Sequence, residues 1–143
     1  MIFDKTLQFS DQQAITATAA STNAIDLLAM GTVPNAAAAL DRDAFKSTKV
    51  PLLVQVTEAF NNLTSLKIDI ELDSTETFTP DKTITLGTFL LAELVAGFQI
   101  PWTLLPQGVD LQYMRLKYTV TGTAPSTGKI TAGVVAGVQT NGV

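Results

Sequence analysis

The chain predicts an all-β fold, an antiparallel β-sandwich of about eight strands, and three alternating stretches carry that prediction. At residues 113–121 Met114, Leu116, Tyr118 and Val120 fall on one face, with Tyr113, Arg115, Lys117, Thr119 and Thr121 on the other. At 129–138 Ile130, Ala132, Val134, Ala136 and Val138 oppose Thr131, Gly133, Val135 and Gly137. At 65–73 Leu66, Ile68, Ile70 and Leu72 oppose Ser65, Lys67, Asp69, Glu71 and Asp73. A strand sends successive side chains to opposite faces, so a period of two marks a strand with one buried side. With no internal repeat or heptad, the pattern points to a jelly roll carrying one short helix, with an immunoglobulin-like sandwich as the runner-up.

The elements follow in order. Leu7 and Phe9 flank Gln8 in a short first strand, and residues 12–22, poor in large apolar groups apart from Ile15, read as a flat edge strand or an extended N-terminal arm over 1–22. Residues 22–27 form a weak strand through Ala24 and Ile25. Residues 31–49 make a long contact loop in which Asn35 caps one or two helical turns over Ala36 to Leu40. A buried strand at 50–56 and a turn at 58–62 lead to the strand at 65–73, whose charged face is expected to meet solvent. After the Thr-rich loop 73–81 comes a strand at 83–86, closed by Gly87. Leu91, Leu94 and Val95 before Gly97 predict a short helix over 88–96 with a left-handed cap. Strand resumes at 98–100, an edge is marked by Pro101, and Trp102, Thr103 and Leu104 extend to Pro106. The Gly122 to Gly128 segment, with Pro125, reads as the connection of a hairpin that would make 113–138 one ribbon.

Composition narrows the function. The 143 residues suit a single domain over 1–143, and Cys is absent, which removes disulfides and thiolate chemistry. No His is present, so imidazole catalysis, imidazole metal ligation and a neutral-pH switch are excluded. A net charge of -4 with nine Lys plus Arg argues against nucleic acid as a partner. The apolar neighbourhood 89–98 is too short to span a bilayer and contains Glu93, so no membrane partner is expected. Charged residues are 15 % of the chain against roughly 25 % in ordinary domains, so part of the surface is expected to be covered by assembly partners.

Carboxylates remain as candidate chemistry. Asp69, Glu71 and Asp73 share a strand face at a spacing of roughly 6.5 to 7 Å, which overlaps a glycosidase pair but equally describes a solvated charged face. Asp41 with Asp43, or Asp73 with Glu76 and Asp81, offer oxygen ligands, yet neither segment matches a calcium loop. We therefore expect no enzyme, no metal site and no cofactor. Candidate contact residues are Ile15, Ala17 and Thr18 in the low-charge N-terminal run, Pro34, Asn35 and Leu40 in the long loop, and Trp102 with Leu104 between two prolines.

Further residues carry a resemblance. The opening Met1-Ile2-Phe3-Asp4-Lys5 with Leu7 and Phe9-Ser10-Asp11, the run Ala17-Thr18-Ala19-Ala20-Ser21-Thr22-Asn23 leading into Ile25-Asp26-Leu27, and Tyr118-Thr119-Val120-Thr121-Gly122-Thr123-Ala124-Pro125 with Thr127-Gly128 and Ile130-Thr131-Ala132-Gly133 resemble the capsid cement (decoration) proteins of tailed bacteriophages, of the Bordetella phage type. The resemblance rests on both ends of the chain and not on the middle, residues 31–49 above all, where such proteins vary. It implies a jelly-roll homo-oligomer, a dimer or trimer, bound to the outer surface of a virion and bridging neighbouring major capsid proteins. The N-terminus lacks a secretory pattern, so synthesis in the host cytoplasm without a signal peptide is expected. The alternative is a carbohydrate-binding or adhesive module on a virion surface, with Trp102 and Tyr113 as stacking platforms.

Overall fold

The computed structural model describes residues 2–44, 46 and 48–137. Eight strands follow in chain order: β1 (Phe3–Ala14), β2 (Ala19–Ala20), β3 (Ile25–Asp26), β4 (Leu52–Glu58), β5 (Leu63–Asp73), β6 (Lys82–Leu90), β7 (Tyr113–Gly122) and β8 (Lys129–Val135). One antiparallel sheet runs β1-β8-β4. In the other, β2 and β3 lie along one side of β7, which pairs through β5 to β6.

The alternation explains why these strands stack. Leu66, Ile68, Ile70 and Leu72 of β5 and Met114, Leu116 and Tyr118 of β7 meet Phe9, Val54, Val56, Ile130 and Ala132 of the first sheet in one buried cluster. Each such large side chain contributes about 1.5–3 kcal/mol on leaving water, so the shared face is the main force joining the sheets. One polar contact crosses the core, where the Ser10 and Tyr118 hydroxyl oxygens lie 2.8 Å apart. Since the Ser10 hydroxyl donates to Gln13 Oε1 at 2.7 Å, Tyr118 donates to Ser10. Burial raises the Tyr118 pKa, because the phenolate would be charged in an apolar layer.

The expectation of a jelly roll carrying one short helix is corrected to an all-β, two-sheet antiparallel structure with no helix among the described residues. Residues 88–90, assigned to that helix, complete β6 instead. Turns follow, closed by Glu93 N–H to Leu90 O at 2.9 Å and Leu94 N–H to Leu91 O at 3.1 Å. The apolar residues there serve different surroundings, since Phe89 and Leu94 are buried while Leu90 and Val95 are exposed, so no helical stripe exists to bury. The helical turns expected after Asn35 also do not form; Asn35 has φ 66° in a turn.

The expected terminal hairpin is corrected as well. β7 and β8 belong to different sheets, and residues 123–128 pass from one layer to the other. Gly128, at φ 133°, sits so close to Phe60 that a Cβ would lie 2.3 Å from its ring. β8 is central in its sheet, and Gly133 lets β1 approach, since a Cβ there would lie 2.9 Å from the Leu7 carbonyl oxygen. Val138, placed on this strand by the alternation, lies outside the described residues.

Of the two readings of the N-terminal run, edge strand or extended arm, the first describes β1 (Phe3–Ala14), which lies at the sheet edge paired with β8; Ile15, a candidate contact residue, is fully buried. Asp69, Glu71 and Asp73, expected in solvent, are buried because β5 is flanked by β6 and β7 on both sides. Long side chains cover that face: Lys67 Nζ lies 3.0 Å from Asp69 Oδ2, and Arg115 Nε lies 2.6 Å from Glu71 Oε2. Phe78, from the following loop, stacks on the Arg115 guanidinium at 4.2 Å.

Candidate interaction surface

The longest irregular segment leaves the sheets after β3 and returns at β4. From Leu27 to Leu40 it contains no Asp, Glu, Lys or Arg, and residues 28–41 are all exposed. Within it Leu28, Met30, Val33 and Leu40 expose 68, 49, 47 and 57 % of their surface. A run without charge normally turns inward, so four large apolar groups held outward form a sticky projection.

Its base is pinned while its tip stands free. Leu27 N–H donates to Gln112 O at 2.7 Å, and Leu28 N–H donates to Asp26 Oδ1 at 2.7 Å. The Arg42 guanidinium donates to the Leu28 carbonyl and, at 3.4 Å, to the Leu111 carbonyl, tying both ends of the segment to the chain entering β7. Leu40 N–H closes the projection on Gly31 O at 2.9 Å. The sequence reading selected Pro34, Asn35 and Leu40 from this segment and missed Leu28, Met30, Val33 and the staple Arg42. The unbroken absence of charge from Leu27 onward was the available signal.

The same end of the molecule carries the second candidate segment. Residues 101–109 adjoin the returning loop through Leu105 N–H to Val50 O at 2.9 Å, Ala44 N–H to Val109 O at 3.0 Å, and Gly108 N–H to Asp43 Oδ2 at 3.2 Å. Trp102 is 38 % exposed and lines an open hollow of about 420 Å³ with Pro101, Leu104 and Pro106. Leu104 is half-buried and bridges Pro51. The structure thus gathers Pro34, Asn35, Leu40, Trp102 and Leu104 onto two neighbouring segments.

It separates the remaining candidates from them. Ile15 lies in the core and bonds to Gly128 O at 3.0 Å, so this chain does not present it to a partner. Ala17 and Thr18 are exposed, but Thr18 Oγ1 accepts from Val120 N–H at 2.9 Å, toward the far end of β7 from Gln112. Eight residues of strand rise put those points about 27 Å apart. The N-terminal run and the long loop are therefore two surfaces.

The carboxylates have structural work. Glu71 and Asp69 are ion-paired as described, and Asp73 Oδ1 accepts from the Thr75 N–H and hydroxyl at 2.7 and 2.9 Å, tying the turn after β5. Asp81 Oδ2 does the same for Ser74. Asp41 meets Lys46 at 3.8 Å in an exposed pair. Among the described residues no three acidic groups are arranged to hold a metal ion. Tyr113, considered as a stacking platform, is half-buried and packs edge-on against Phe78 at 6.4 Å between centroids.

Comparison with curated proteins finds no match. The two-sheet body lies almost entirely within residues 9–138, and over that span the chain matches the Bbp16 family. Since the match takes in both sheets, the long loop and the Trp102 segment, the chain belongs to the Bbp16 family, a phage-associated protein family.

Proposed function

We propose that this protein is a capsid cement protein, which binds the outer surface of an assembled phage shell as a small homo-oligomer and bridges neighbouring major capsid subunits. The observation that carries this reading is the uncharged projection from Leu27 to Leu40, with four large apolar side chains held outward on a pinned base. Burying such a side chain against a capsid subunit contributes about 1.5–3 kcal/mol before the costs of association. Several copies gripping one lattice then gain effective concentration, so modest contacts suffice. A net charge of -4 suits the exterior of a shell better than an interior packed with DNA. In this reading the protein is made in the host cytoplasm and ends on the virion surface.

The test uses substitutions on the projection alone. Met30→Ser, Val33→Ser and Leu40→Ser together alter exposed side chains, so the unfolding midpoint is expected to hold while occupancy on purified shells falls by about tenfold or more. Unchanged occupancy of a folded triple variant would remove the loop from the contact and this reading with it.

A further inference from the structure

An uncharged apolar run normally folds onto its own protein, and here there is room for it to do so. A hollow of about 180 Å³ lies beside the root of the projection, with Leu28, Met30, Arg42, Leu111 and Gln112 on its walls. Yet Leu28 and Met30 stay exposed. What holds the run outward sits close to where it starts.

Leu28 has φ 66°, in the left-handed region, where a Cβ crowds the backbone and which Gly, Asn and Asp enter far more readily than Leu. Of the other described residues with a Cβ at positive φ, Asn35 and Asn62 are of the tolerant kind, Gln12 is fixed within β1 by its N–H on Thr131 Oγ1, and Phe78 packs on Arg115 and Tyr113. Leu28 has no such support from its own side chain. Its N–H donates to Asp26 Oδ1 at 2.7 Å and its carbonyl accepts from the Arg42 guanidinium, so a charged group grips the residue on each side of its Cα. Each grip is anchored in turn, Asp26 Oδ1 by Gln112 Nε2 at 3.1 Å and Arg42 by the Leu111 carbonyl at 3.4 Å. Hydrogen bonds to ionised groups are roughly twice as strong as neutral ones, so the pair holds a conformation that the residue alone avoids.

We infer that Asp26 and Arg42 are positioning residues that lock Leu28 in the left-handed conformation and thereby aim Met30, Val33 and Leu40 outward before any partner is met. Without the lock Leu28 returns to ordinary backbone angles, the chain after it changes direction, and the apolar groups settle on the hollow. The lock raises affinity without touching the partner, because a surface presented by only a fraction of the molecules binds more weakly by that fraction. The inference rests on the projection's role as the shell contact, but the lock itself is measurable with no shell present.

Because the chain has no Cys, nitroxide labels on Val33→Cys and Thr85→Cys report the distance from the projection to β6. One narrow distance is expected with Arg42 in place, and a second population for Arg42→Gln and for Asp26→Ala. On purified shells Arg42→Gln is expected to lower affinity by about tenfold, as when one molecule in ten presents the projection. Leu28→Asn supplies a residue that enters the left-handed region readily, so in that chain Arg42→Gln is expected to cost at most about threefold and to keep the distance largely single. A merely structural Arg42 would lower the urea midpoint and leave the distance single. A single narrow distance in both Arg42→Gln and Asp26→Ala would overturn the inference, as would an equal loss of affinity with and without Leu28→Asn. A second population in Arg42→Gln from a chain that has no affinity for shells would support the lock and refute the shell contact, so the two readings fail separately.

Discussion

Placing a methyl group on Gly128 tests the geometry of the passage between sheets. The added Cβ of Gly128→Ala would lie 2.3 Å from Phe60 Cδ1 and 2.6 Å from Cγ and Cε1, where ordinary carbon contacts are about 3.5–4.0 Å. Phe60 cannot simply swing away, because its ring is in the core and its N–H is held by Leu94 O at 3.0 Å. Overpacking of this kind costs about 1–3 kcal/mol, and holding a residue with a Cβ at φ 133° adds about 1–3 kcal/mol more. The expected loss is therefore about 2–6 kcal/mol, a large share of the roughly 5–15 kcal/mol that a domain has. Urea unfolding followed by the fluorescence of Trp102 reads it as a lowered midpoint at unchanged slope. Phe60→Leu in the same chain should recover part of the loss by making room, a coupling of about 1–2 kcal/mol in a double-mutant cycle. A loss below about 1 kcal/mol for Gly128→Ala alone would refute the crossing described here.

Two titrations and one deletion complete the expectations. The raised Tyr118 pKa means the unfolded chain ionises first, so stability holds below the ordinary tyrosine value of 10.0 and falls as pH rises past it; Tyr118→Phe should flatten that alkaline decline, while costing about 1 kcal/mol at neutral pH for the lost bond to Ser10, measured by urea midpoints across pH. Glu58 is held below its ordinary 4.5 by its hydrogen bond to Lys129, at 2.6 Å, so its small contribution is present above 4.5 and lost as pH falls below it; Glu58→Gln should remove that acid-side slope, and salt should shrink it in the wild type. Deleting residues 34–40 should leave cooperative unfolding intact, since none of them reaches the core, and a broadened transition would contradict that.

Individual elements show how far the chain alone could be read. β5 and β7 were legible because Leu66, Ile68, Ile70 and Leu72, and Met114, Leu116 and Tyr118, sit at the period of a strand and all reach the core. The long loop was legible from its length and from Pro34 and Asn35, but the apolar groups it holds outward were not read from it. The helix over 88–96 was misread because three apolar residues near helical spacing also fit a strand end followed by turns. The surface around Leu28, Met30 and Val33 was overlooked because a single Leu or Met looks the same buried or exposed, and only the uncharged run from Leu27 to Leu40 as a whole signals it.

Alternation by itself determined which residues of a strand share a face, and composition determined which chemistries this protein lacks the side chains to perform. Only the tertiary structure decided which strands are neighbours, because ladder hydrogen bonds join backbone groups that every residue except Pro carries alike. That is why β7 and β8, adjacent in the chain, part into different sheets, and why the charged side of β5 is buried. The same cause puts β6 at the end of its sheet among the described residues, a property of position in the sheet and not of any residue in it.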